Sequence, residues 1–161
     1  MRRRILAGIT ALAVAVLAGI GIELAGAQSV GAIATVRFAA LDIYLDSSEP
    51  VAAWQFELTE QTGSMTVVGV ENGDSAAFDD APFYDLDAVA QDRADRIVIA
   101  DFSLADPNAL PSGRTRVATV HVRLMGREAP DFELSLIAAG NADGEAITAN
   151  AEFVIAEGRT E

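Results

Sequence analysis

Apolar residues recur at every second position in this chain, and that spacing restricts the fold more than any other feature. Ala52, Trp54, Phe56 and Leu58 alternate with Ala53, Gln55, Glu57 and Thr59, the pattern of a strand with one buried face. Leu41, Ile43 and Leu45 alternate in the same way with Asp42, Tyr44 and Asp46. Ala118, Val120, Val122 and Leu124 alternate with Thr119, His121 and Arg123, and Phe132, Leu134 and Leu136 with Glu133 and Ser135. Three further runs, Met65 to Val70, Ile97 to Phe102 and Ala151 to Ile155, are rich in β-branched or aromatic residues and read as weaker strands.

Turn-forming residues separate these runs at short intervals, among them Ser47-Ser48-Glu49-Pro50, Gln61-Thr62-Gly63, Pro111-Ser112-Gly113 and Asn141-Ala142-Asp143-Gly144. Many short strands joined by turns predict an all-β antiparallel sandwich. The one long interval without strand signal runs from Asn72 to Asp95, and a structureless loop of that length is unusual in a compact domain. Within it, Asp85 is placed to cap a short helix carrying Leu86, Val89 and Ala90 on one side. There is no internal repeat and no low-complexity linker.

Residues 1–27 read as a secretory signal peptide. Arg2, Arg3 and Arg4 form a basic start, an uncharged run follows from Ile5 to Ile22, and Ala25-Gly26-Ala27 supplies a small-residue cleavage site. Cleavage would leave Gln28 first, residues 28–161 as the sandwich domain, and a secreted or cell-surface protein. A membrane association is expected only if the segment stays uncleaved, since 18 uncharged residues approach a bilayer span. Without residues 1–27 the chain keeps 8 basic against 23 acidic residues. Such a field repels nucleic acid and anionic membranes and favours cations or a basic surface on a protein partner.

All 11 basic residues are Arg, so P-loop and Schiff-base lysine chemistry are absent. With no Cys and only His121, zinc would have to be held by carboxylates, which suit calcium better. Seven aspartates in the acidic interval, Asp74, Asp79, Asp80, Asp85, Asp87, Asp92 and Asp95, permit a calcium site by composition, but their spacing does not follow the EF-hand loop. No other cofactor is expected. His121 lies mid-strand on the face opposite the core, and no G-x-S-x-G elbow accompanies it. Trp54 shares its strand face with Phe56 and Leu58 and reads as core, whereas Tyr44 shares a face with Asp42 and Asp46 and is expected to be exposed.

Read in order, the segments from Leu41 to Asp46, Pro50 to Thr59, Val117 to Leu124 and Asn141 to Gly144 resemble the cohesin family, which belongs with the family 2 and family 3 carbohydrate-binding modules. The resemblance rests on the strand Ala52-Ala53-Trp54-Gln55-Phe56-Glu57-Leu58, on Gly113 leading into Ala118-Thr119-Val120-His121-Val122, and on the turn Asp143-Gly144. It implies a β-sandwich of jelly-roll topology and a non-catalytic module that recognises a protein partner, the family's being the dockerin, in extracellular polysaccharide breakdown or surface assembly. Docking is expected on a sheet face, and alternation nominates Thr119, His121 and Arg123, with Asp101 on the preceding strand. A carbohydrate-binding module of the same fold and a small carboxylate-based glycoside hydrolase are the alternatives.

Overall fold

The computed structural model describes residues 35–90 and 95–156. The signal segment, residues 1–27, and Asp92 lie outside the described residues. Among the described residues seven strands form, four where the alternation places them and three at the weaker runs: β1 (Val36–Ser47), β2 (Ala53–Glu60), β3 (Met65–Asn72), β4 (Arg96–Phe102), β5 (Gly113–Met125), β6 (Phe132–Gly140) and β7 (Asn150–Ala156). They make a four-stranded sheet in the order β3-β5-β1-β7 and a three-stranded sheet in the order β4-β2-β6, antiparallel throughout. Odd strands fall in one sheet and even strands in the other, so each connection crosses the sandwich.

The acidic interval contains the short helix α1 (Leu86–Ala90), whose Val89 N–H donates to the Asp85 carbonyl at 3.2 Å. Val89 packs against the core, whereas Leu86, expected on the same side, is exposed. Ahead of α1, Phe83 exchanges both backbone hydrogen bonds with Ala100, so it lies beside β4 as an isolated bridge.

The core sits between the sheets, and the alternating residues supply it. Leu41, Ile43 and Leu45 of β1, Trp54, Phe56 and Leu58 of β2, and Ala118, Val120, Val122 and Leu124 of β5 are all buried. Trp54 is 2% exposed as its strand pattern requires, stacked on Phe56 at 5.2 Å and edge-on to Phe78 at 6.1 Å. At the flank where β6 and β7 meet, Phe132 and Phe153 pack edge to face at 5.9 Å.

Three bulges interrupt the alternation. Ile43 pairs with Ala118 but Tyr44 with Arg116, which leaves Val117 as the extra residue of β5. Val68 is extra in β3 and Ile137 in β6 by the same reading of the register. A bulge adds one residue to one strand, so positions beyond it exchange faces. At the first bulge both Val117 and Ala118 are buried, and Arg114 and Arg116 turn outward on the same side as Thr119 and His121.

One carboxylate ties the chain reversals together at an end of the sandwich. Glu60, the last residue of β2, is 6% exposed. Its Oε1 accepts from the Thr62 hydroxyl at 2.6 Å, the Thr62 N–H at 3.2 Å and the Asp131 N–H at 3.1 Å, and its Oε2 from the Ser64 N–H at 2.8 Å. The turn between β2 and β3 and the entry to β6 therefore share one acceptor. Burial pushes its pKa up, but the Thr62 hydroxyl and the three backbone donors outweigh burial and bring it from 4.5 to about 2.

A folded-state pKa below the unfolded one contributes stability that is present above pH 4.5 and is lost as pH falls towards about 2. Replacing Glu60 with Ala is expected to lower stability near neutral pH by about 2 kcal/mol, because buried donors lose a charged acceptor. The same variant should show a shallower loss of stability below pH 4.5 than the parent. Urea unfolding monitored by Trp54 fluorescence across that range measures both, and parallel pH profiles would remove Glu60 from its assigned role.

Candidate functional site

The outer surface of the four-stranded sheet carries three of the four nominated residues. Thr119, His121 and Arg123 project from the same side of β5, opposite Asp42, Ala40 and Phe38 of β1. Thr119, however, is 5% exposed and does not form a contact surface. Its hydroxyl donates to Asp42 Oδ1 at 2.7 Å and accepts from Arg116 Nη1 at 2.5 Å. Arg116 also pairs with Asp74 and lies 3.7 Å from Asp42. Alternation assigns a side chain to a face and not to an exposure, and here the longer neighbours cover the short hydroxyl.

Asp101 departs further from expectation. It belongs to β4, in the other sheet, because the connection from β4 to β5 crosses the sandwich. It faces Trp54 across the register and is 8% exposed, with Oδ1 accepting the Phe102 N–H at 2.8 Å. His121 and Arg123 are half-buried. The His121 Nε2 lies 3.2 Å from Glu71 Oε1, close enough for an ion pair once protonated but not aligned as a hydrogen bond. Beside it an open depression of about 530 Å³ is lined by Phe38, Val68, Gly69 and Glu71.

Two arginines that alternation hides complete this face. Strict period two from Ala118 would send Arg114 and Arg116 into the core; the bulge at Val117 turns them out. Arg114 places its guanidinium 3.6 Å from the centre of the Tyr44 ring and its Nε 2.5 Å from Glu152 Oε1. Tyr44, expected to be exposed, is thus half-covered by an arginine. The adjacent apolar pair Val117-Ala118, which breaks the alternation, was the available signal.

Gly73 makes the Arg116 cluster possible. A Cβ at this position would stand 2.0 Å from the Arg116 carbonyl oxygen and 2.6 Å from the Val117 Cα. Only a residue without a side chain lets the chain lie on the bulge, where the Asp74 N–H donates to the Arg116 carbonyl at 2.9 Å.

The outer surface of the three-stranded sheet is built differently. Ala53, Gln55, Glu57 and Thr59 of β2 lie between Val98, Ala100 and Phe102 of β4 and Glu133, Ser135 and Ala138 of β6. One end is polar, with Glu57 paired to Arg96 and Gln61 donating to Glu133 at 2.9 Å. The other end is apolar. Phe83 and Phe102 stack at 5.9 Å and are 64% and 57% exposed, with the bulged Ile137 at 52% and Leu104 at 92%. Of these, only Phe102 was legible, as the aromatic out of phase with Ile97 and Ile99.

The aspartates of the acidic interval scatter. Asp74 joins Arg116, Asp79 and Asp80 lie towards Asp101, and the Asp85 carbonyl receives the α1 bond. Among the described residues no three His, Asp or Glu side chains gather to hold a metal ion.

Comparison with solved structures bears on the fold. A chain from the complex of a CaDoc0917 variant with CaCohA2, at pH 5.5, is similar over 70% of this chain and 82% of its own, at 13% identity and a TM-score of 0.51. The seventh ScaB type I cohesin from Pseudobacteroides cellulosolvens is similar over 77% of this chain and 86% of its own, at 12% identity and a TM-score of 0.50. The fold is cohesin-like. At these identities the likeness concerns the cohesin-like sandwich and leaves its contacts to be argued from this chain's residues. No family model matches the chain, and no curated protein matches it.

Replacing Gly73 with Ala is expected to cost about 2–3 kcal/mol, because the new methyl group meets backbone that has no room to move. Asp74→Ala removes one partly exposed ion pair and should cost less than about 1 kcal/mol. Chemical denaturation of the two variants gives the comparison, and equal costs would show that Gly73 is not packed against the bulge.

Proposed function

We propose that this chain is an exported, non-catalytic recognition module that docks a protein partner, of the dockerin type, on the outer face of its three-stranded sheet. The observation that carries the choice of face is the exposed apolar end: the Phe83–Phe102 stack, which lines one hollow with Leu104. Exposed aromatics grouped on a rigid sheet are what protein interfaces bury at their centres, and the residues between them, Ala53, Ala100 and Ala138, are small enough for close approach. A cohesin-like fold supports the same reading, as one similar chain comes from a Doc–Coh complex.

Export rests on residues 1–27, and with it a role outside the cell in polysaccharide breakdown or surface assembly. The exported protein should have an intact mass that starts at Gln28. A mass retaining residues 1–27 in the membrane fraction would replace export with anchoring.

His121 and Arg123 support a second reading, docking on the four-stranded face, because Phe38 is 72% exposed beside them. Affinity capture from the culture medium separates the two. A partner retained by the parent should be lost with Phe102→Glu, at a cost above about 2 kcal/mol, and kept with Arg123→Ala. The reverse pattern moves docking to the four-stranded face. Retention on cellulose or xylan that depends on Phe102 would make the module a carbohydrate binder instead.

A further inference from the structure

The apolar end of the three-stranded sheet adjoins a hollow of about 440 Å³ between the 76–81 loop and residues 101–105. Three carboxylates line it, Asp79, Asp80 and Asp101, together with Phe83, Phe102 and Leu104, and among the described residues its lining has no basic side chain. Asp101 is more than nine-tenths buried, and while its Oδ1 holds the Phe102 N–H, its Oδ2 has no hydrogen-bond partner among the described residues. Native folds rarely leave a buried carboxylate oxygen in that condition. Burial pushes the Asp101 carboxyl up, the Phe102 N–H draws it back, and the nearby charges of Asp80 and Asp79 push it up again. Three acids therefore oppose one another around a space that a positive charge would relieve.

The four-stranded sheet of the same molecule shows how such an arrangement is satisfied. There Arg114 lies over the Tyr44 ring and pairs with Glu152, so an aromatic face and a carboxylate hold one guanidinium between them. Among the described residues, the hollow offers the same two components without an arginine.

We propose that the hollow takes an arginine side chain supplied by the docking partner, with its guanidinium between Asp79 and Asp80 above Asp101, its plane against the Phe83–Phe102 pair, and its stem along Leu104. This rests on the reading that the three-stranded face docks a protein, and it names the chemistry of the anchor. A planar guanidinium suits the site better than an ammonium because it pairs with carboxylates and stacks on aromatic rings at once. A metal ion suits it less, since among the described residues no three acidic side chains converge closely enough to ligate one.

The test is nuclear magnetic resonance titration of the isotopically labelled full chain with N-acetyl-arginine amide, with N-acetyl-leucine amide and calcium chloride as comparators at matched ionic strength. The arginine amide should give saturable shifts at Asp80, Phe83 and residues 101–105, with affinity falling about tenfold or more in the Asp79→Asn/Asp80→Asn variant, as expected for close charge pairs. Both positions are exposed, so the variant should keep the parent spectrum elsewhere. No saturable shift at these residues, an equal response to the leucine amide, or a tighter response to calcium would each overturn the proposal. The outcome is separable from the docking reading. A hollow that ignores arginine leaves the Phe102→Glu capture result standing, and a capture result that favours the other face leaves the arginine titration standing.

Discussion

The antiparallel ladder between β1 and β5 is the member on which the rest of the molecule depends. It runs the whole length of β1, from Val36 opposite Met125 to Ser47 opposite Gly113, and carries β3 on one side and β7 on the other. Its inward rungs, Leu41, Ile43, Val120 and Val122, are fully buried, so the inner surface of the three-stranded sheet has one continuous apolar floor to pack on. Burial of side chains of this size contributes roughly 1.5–3 kcal/mol each, which makes the ladder's register a matter of overall stability as well as geometry.

The single irregularity in that ladder separates the two outer faces in character. By admitting Val117 as an extra residue it turns Arg114 and Arg116 outward, where Tyr44, Glu152, Asp42, Asp74 and Thr119 engage them. The four-stranded face thus satisfies much of its charge internally. On the three-stranded face the ion pairing stays at the Arg96 end, and the aromatic end faces solvent beside carboxylates. In a strongly acidic chain, that contrast makes the second face the better prospect for a partner with a basic, apolar surface.

The fold was legible in the sequence because two sheets packed face to face demand period two, and Trp54, Phe56, Val120 and Val122 obey it without interruption. Phe83 was hidden in the acidic interval because its bridge to Ala100 is a single pair with no repeating pattern. Arg116 and Ile137 were hidden because a bulge reverses the parity on which the reading depends. Asp101 was named as an outward candidate on the strand before β5, but that strand lies in the other sheet and its side chain is buried. Thr119 was assigned to the correct face, but side-chain lengths around it decide exposure, and no periodicity encodes them.

Because odd and even strands divide between the sheets, no strand among the described residues pairs with its neighbour in sequence. No hairpin is available as a local nucleus, and the first hydrogen-bonded ladder that β1 can join requires β5, which lies beyond three other strands along the chain. Loop-closure entropy must be overcome before any pairing stabilises the chain, which places such a topology among slow folders. During synthesis, β2 can pair once β4 is made, but β1 and β3 have no sheet partner until β5 follows. The four-stranded sheet therefore cannot begin to close until the sequence around Val120 has emerged.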